Sequence, residues 1–132
     1  MFQNQIYDKY VINRVLELRE VFEIEYFQTV NGHKPVKEFI DDQEVKMQAK
    51  IFRQLQLLKE FGPKLGEPFS SMVAKGIFEM RIQQSNNITR IFYFFVRNQR
   101  IVLTHGFTKK TQKTPYFEIS RAIKYRAEYE SR

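Results

Sequence analysis

Three lysines, Lys109, Lys110 and Lys113, crowd the segment "TKKTQKTP", which follows the apolar run "IVLTH" with no acid among them. Upstream, Arg81 lies in "GIFEMRIQ" and Arg90 in "ITRIFYFFV", and Lys75 directly precedes the first of these segments. From Lys75 to Pro115 there are 8 basic residues and one acid, Glu79. Grouped cations of this kind suit a phosphate. The planar guanidinium grips two oxygens at once, while lysine brings a mobile point charge. The ordinary alternative is a surface arginine paired with a nearby acid. With only Glu79 close by in sequence, an anion site fits better than a salt-bridge network.

The remaining polar candidates are weaker. Tyr116 stands at an expected helix start, where free backbone N–H groups attract anions, but it reads first as a hydrophobic lid on the sheet end. His105, placed by alternation on the same strand face as Leu103, reads as a hydrogen-bonded structural residue. His33, in the turn "NGHKP", reads as solvent-exposed. There is no cysteine, so disulfides, thiolate catalysis and Cys-ligated zinc are excluded, and two scattered histidines are too few for a His-rich metal site. No metal or cofactor is expected. The sequence contains no Ser/His/Asp set, glycine-rich phosphate loop or carboxylate pair suited to glycoside chemistry.

These residues need a scaffold, and 132 residues with 13 Phe and 7 Tyr can bury one core. A single domain over residues 1–132 is expected. No apolar run is long enough to cross a membrane and no secretion or lipidation signal stands at either end, so a soluble cytoplasmic protein without a membrane partner is expected. The net charge of +7 is unevenly spread. Up to residue 69 there are 10 Lys+Arg against 11 Asp+Glu, and beyond it 12 against 4. A basic second half suggests a phosphate-bearing partner, although charge alone does not say which.

Periodicity supplies the elements. Tyr7, Val11, Val15 and Leu18 predict a helix within the first twenty residues. "VFEIEYF" alternates as a strand, and Pro35 opens a helix through "VKEFIDD". Met47, Ile51, Leu55 and Leu58 form the apolar stripe of a helix from Glu44 to Phe61, stopped at Gly62-Pro63. "GPKLGEPFS" reads as a loop. "GIFEMRIQ", "ITRIFYFFV" and "RIVLTHGF" then form an antiparallel meander, and Thr114 caps a last helix with Pro115 at its first position. The fold class is α+β: strand, two helices, three-strand meander and C-terminal helix, with the helices packed on one face of a small antiparallel sheet. Arg81 shares a face with Glu79, away from the helix-covered core. Arg90 is in register with Phe92 and Phe94, and since both faces of that strand are apolar it should be a middle strand; its side is left open.

Taken together, "GIFEMRI", "TRIFYFF", "IVLTHGFTKKTQKTP" and "EISRAIKYRAEY", with "PVKEFID" and "LLKEFGPKLGEPFS" before them, resemble the HigB-like, phage-associated branch of the RelE/ParE toxin superfamily. The resemblance runs from Val21 to Tyr129. It implies a RelE-like α+β toxin of a type II toxin-antitoxin pair, bacterial or phage-derived, that cuts messenger RNA on the ribosome and is silenced by a helix-turn-helix, HigA-like antitoxin, through which it would oligomerise. Carried over by position, Arg81 falls at the basic site of the family's second strand and Arg90 at the arginine opening the next. Lys109 and Lys110 fall where basic residues follow the last strand, and Tyr116 near a tyrosine used by RelE-like members. Residues 1–20 are an extension to the family core, Lys75 replaces a common acid, and Phe78 replaces a frequent tyrosine or tryptophan.

The implied chemistry is metal-independent. An RNA 2′-OH attacks the adjacent phosphate, leaving a 2′,3′-cyclic phosphate and a free 5′-OH. Arg81 and Arg90 would stabilise the developing charge, and Lys109, Lys110, Lys113 and Lys75 would hold RNA backbone. No base is obvious. A lysine lowered from about 10.4 by like charges, Tyr116 or the ribosome could serve. Two rivals are a ParE-like gyrase inhibitor and a non-catalytic RNA- or antitoxin-binding module, the latter favoured if Tyr93 or Phe95 faces solvent.

Overall fold

The computed structural model describes residues 22–109 and 113–132. The helix and N-terminal extension expected over residues 1–20, and Lys110, lie outside them. Alternating "EIEY" forms β1 (Glu23–Tyr26), after which the chain turns into α1 (Pro35–Asp41) and α2 (Val45–Phe61). Pro35 stands in the first helical turn, where its missing N–H costs nothing. The stripe Met47, Ile51, Leu55 and Leu58 is the buried face of α2. Gly62 ends that helix with φ +53, and a Cβ there would lie 2.4 Å from the Phe22 ring, so this stop requires glycine.

A short 3-10 turn, Gly62–Lys64, leads to β2 (Ser70–Ala74), β3 (Ile77–Gln84), β4 (Asn87–Val96) and β5 (Arg100–Lys109), and the described chain closes with α3 (Tyr116–Glu130). The sheet order is β1-β5-β4-β3-β2. All neighbours are antiparallel except β1 and β5, so the sheet is mixed rather than antiparallel throughout. β2 is an additional strand that continues from the expected loop. It is a short edge strand, and its sequence "SSMVA" lacks the polar–apolar alternation that identifies the others.

The helices cover both faces, not one. Val36 and Ile40 of α1 and the α2 stripe pack on Met80, Ile82, Ile91, Tyr93, Ile101 and Leu103. Across the sheet, Phe92, Phe94, Val102 and Ile77 pack with Ala122, Ile119, Tyr125 and Tyr129 of α3. The reason is in β4, the middle strand, whose residues Ile88 to Phe94 are all buried: two apolar faces need two covers.

A bulge interrupts β4 and β5. Ile91 pairs with Gly106 and Tyr93 with Leu103, so β5 has one residue too many between them. The extra residue switches the alternation. Leu103 belongs to the α1/α2 core, whereas His105 reaches Glu118 on α3, opposite to the side that simple alternation gives.

Candidate functional site

Arg81 on β3 and Arg90 on β4 are directly opposed cross-strand partners, three residues from the turn that joins their strands. Both lie on the α3 side of the sheet, and Phe107 of β5 stands opposite Arg90 in the same row. Two guanidinium groups side by side repel unless a carboxylate intervenes, and Glu79 does so. Its Oε2 accepts a hydrogen bond from Arg90 Nη1 at 2.6 Å and from Arg81 Nη1 at 3.3 Å. Glu79 is 2% exposed and Arg90 1%.

The other oxygen of Glu79 accepts from the Thr114 hydroxyl. This corrects the expected cap: α3 begins at Tyr116 with Pro115 as its N-cap, no side chain caps it, and Thr114 is turned to the buried carboxylate instead. The same bond brings the start of α3 to the arginines. Glu79 therefore ties together β3, β4 and the approach to α3.

Arg81 has a second acid that sequence proximity does not reveal. Its Nη2 donates to Glu67 and to the Pro68 carbonyl at 3.2 Å, and its Nη1 to Ser71 Oγ at 2.8 Å. A salt-bridge network thus exists where an open anion site was expected. Even so, the Arg81 side chain keeps 23% of its surface exposed, while Arg90 is enclosed. Only the first can meet a ligand from solution directly.

The other candidates separate by position. β5 ends at Lys109, beyond Phe107, and Lys113 is exposed on the approach to α3. Tyr116 is 77% exposed beside an equally open Phe117, so it does not close the sheet end as a lid. Lys75 sits in the β2–β3 turn, six positions before Arg81 on β3; at about 3.3 Å per strand residue that is roughly 20 Å away. The structure does not bring Lys75 to the arginines.

His105 is a buried, hydrogen-bonded residue. Its Nε2 lies 3.0 Å from Glu118 Oε1 and its Nδ1 3.1 Å from Thr104 Oγ1. Burial, with the nearby Arg121 charge adding to it, lowers its pKa to about 3, so the ring is neutral at ordinary pH. His33 is exposed, as expected, and 3.0 Å from Glu38. Among the described residues no cluster of His, Cys, Asp and Glu has metal-site spacing, and no helix is long and apolar enough to cross a membrane.

A mixed five-stranded sheet between helices, with paired arginines on adjacent strands, defines a small α+β protein. Residues 38–127 match the family described as Phage derived protein Gp49-like (DUF891). The chain belongs to that family, which is one of RelE/ParE-type toxins, and a toxin of this type implies an antitoxin partner. A search of curated proteins finds no match.

Proposed function

We propose that this chain is a HigB-like toxin with a RelE-like fold, a ribosome-dependent endoribonuclease that inhibits translation in the cytoplasm and is held silent by a helix-turn-helix antitoxin. The observation that carries this reading is the Arg81–Arg90 pair around Glu79, at the same sheet end as the close of β5 and the start of α3. In this reading residues 1–132 act as one toxin domain, and residues 1–20 extend its core.

The RNA 2′-hydroxyl attacks the adjacent phosphorus as its proton leaves, and the P–O5′ bond breaks to give a 2′,3′-cyclic phosphate and a 5′-hydroxyl. Arg81, the partly exposed member, contacts the non-bridging oxygens as negative charge builds on them. Arg90 acts from beneath. It holds Glu79, which in turn fixes the Arg81 fork, so Arg90 is a positioning residue. Lys109, Lys110 and Lys113 hold the flanking RNA backbone, and Tyr116, open at the helix start, passes the proton from the 2′-OH toward the departing 5′ oxygen.

Tyr93 and Phe95 do not form the solvent-facing platform that a non-catalytic RNA binder would use. Tyr93 is buried, and Phe95 packs against the α1/α2 core. Primer extension on messages translated in an extract tests the proposal. Wild-type protein should leave cuts within translated codons and Arg81→Ala should leave at least tenfold fewer. Intact messages together with inhibited gyrase supercoiling would instead assign the chain to the ParE-like activity.

A further inference from the structure

On the opposite side of β3 from the Glu79 cluster, a groove of about 420 Å³ runs between α2 and the strand's end. Its lining includes Lys50, Arg53, Arg81, Leu57 and Phe69, and no acidic residue. Two hydrogen bonds fix its walls. Gln54 Nε2 donates to the Arg81 carbonyl at 2.6 Å and Lys50 Nζ to the Gln83 carbonyl at 3.1 Å, clamping α2 to β3. On the far wall the Arg81 N–H donates to the Phe69 carbonyl at 2.8 Å, which sets Phe69 beside Arg81.

What the clamps leave over is the recognition chemistry. Arg53 is exposed and makes no hydrogen bond or ion pair among the described residues. Phe69 is 39% exposed, an aromatic ring presented to solvent across from cations. Glu67, two residues before Phe69, is already bonded to Arg81 and does not line the groove. The volume is that of a small-ligand pocket and is open along the surface. Cations that track a phosphate chain, next to a ring on which a base can stack, are the two parts of a single-strand RNA subsite.

We propose that this groove holds one nucleotide of single-stranded RNA next to the one at Arg81, with Arg53 on its phosphate and Phe69 against its base. The inference rests on the RNA-cutting assignment for the choice of ligand, but it concerns binding alone. Arg81 lines the groove and also bonds Glu79, so the two sites meet at this residue.

The test is fluorescence anisotropy with a fluorescein-labelled, unstructured twelve-nucleotide RNA in which every 2′-OH is replaced by fluorine, so that it cannot be cut. The charge reversal Arg53→Glu should weaken binding tenfold or more and flatten the dependence of log K on log salt by about 0.7 for each phosphate it ceases to neutralise. Arg97→Glu, the same charge change in the turn at the far end of β4, should weaken it less than threefold. Equal losses for both variants would mean that net charge alone attracts RNA, and the subsite would be rejected.

Phe69→Ala should remove the wild type's preference for the normal oligomer over an abasic one. If that preference persists, the ring is not a base platform and the proposal fails. A poly-glutamate peptide that competes with the RNA at equal charge concentration, losing its own binding in Arg53→Glu, would assign the groove to an acidic peptide and overturn the RNA reading. Thermal melts confirm that each variant is folded. Loss of binding in Arg53→Glu in a protein that cuts no message would leave the groove standing and the cleavage assignment refuted.

Discussion

Arg81 and Arg90 face each other across β3 and β4 and share a single carboxylate oxygen of Glu79. One of the two is enclosed and the other reaches the surface, so equal chemistry produces unequal roles. Removing a partner from a buried ion pair leaves an uncompensated charge, at a cost of about 3–5 kcal/mol. Arg90→Ala should therefore lower the unfolding free energy by about that amount, and Arg81→Ala by about 1–2 kcal/mol. Urea denaturation followed by circular dichroism measures both. An Arg81→Ala loss equal to that of Arg90→Ala would show that the surface arginine is structural too.

The two acids that hold Arg81 should differ in the same way. Glu79→Gln keeps the shape but leaves two guanidinium groups adjoining without a buried anion, a loss of about 3 kcal/mol or more. Glu67 is 69% exposed, so Glu67→Gln should cost no more than about 1 kcal/mol. Only the first should unseat Thr114, and with it the start of α3. A fall in the Tm of Glu79→Gln several times that of Glu67→Gln is the expected result.

His105 makes stability depend on pH. Its pKa is about 3 when folded and near 6.5 when unfolded, so between those values the unfolded chain binds a proton that the folded chain does not. Stability is therefore lost as pH falls from about 6.5 toward 3, by up to about 1.4 kcal/mol per pH unit from this residue. His105→Gln should flatten the profile in that window and leave it unchanged above pH 7. Denaturation midpoints at half-unit steps of pH give the slopes, and parallel profiles for the two proteins would remove His105 from the account.

Gly106 is fixed by close approach, not by backbone conformation. A Cβ there would lie 2.7 Å from Phe39 Cδ2 and 3.2 Å from the Arg90 carbonyl oxygen, so α1 sits on β5 only because that atom is missing. Gly106→Ala should cost about 1–3 kcal/mol through overpacking. Phe39→Leu in the same chain should recover part of it, which a double-mutant cycle would detect as non-additivity.

Strand alternation places Arg81 with Glu79, and Arg90 with Phe92 and Phe94, and those assignments agree with the structure because the pleat is regular there. The stop at Gly62 and the stripe of α2 are equally plain in the sequence. Alternation puts His105 on the wrong side because a bulge adds a residue on β5 without changing any residue type. β2 reads as loop because an edge strand can be held by its neighbour's hydrogen bonds with little help from its own pattern. Glu67 lies outside any local window around Arg81, and only the antiparallel return of β2 onto β3 brings it close. The covering of both faces is implicit in β4, whose apolar residues on either side require it.

The parallel pairing of β1 with β5 sets the order of events during synthesis. Glu23 lies opposite Arg100 and Tyr26 opposite Leu103, so the strand that leads the described chain waits for the last strand to be made. Such distant pairing delays folding until most of the chain has been translated. A nascent chain stopped before β5 therefore has no partner for β1 and no Phe107 beside Arg90, so its sheet is unfinished. The row that joins Arg81, Arg90 and Phe107 across three strands is therefore complete only near the end of synthesis.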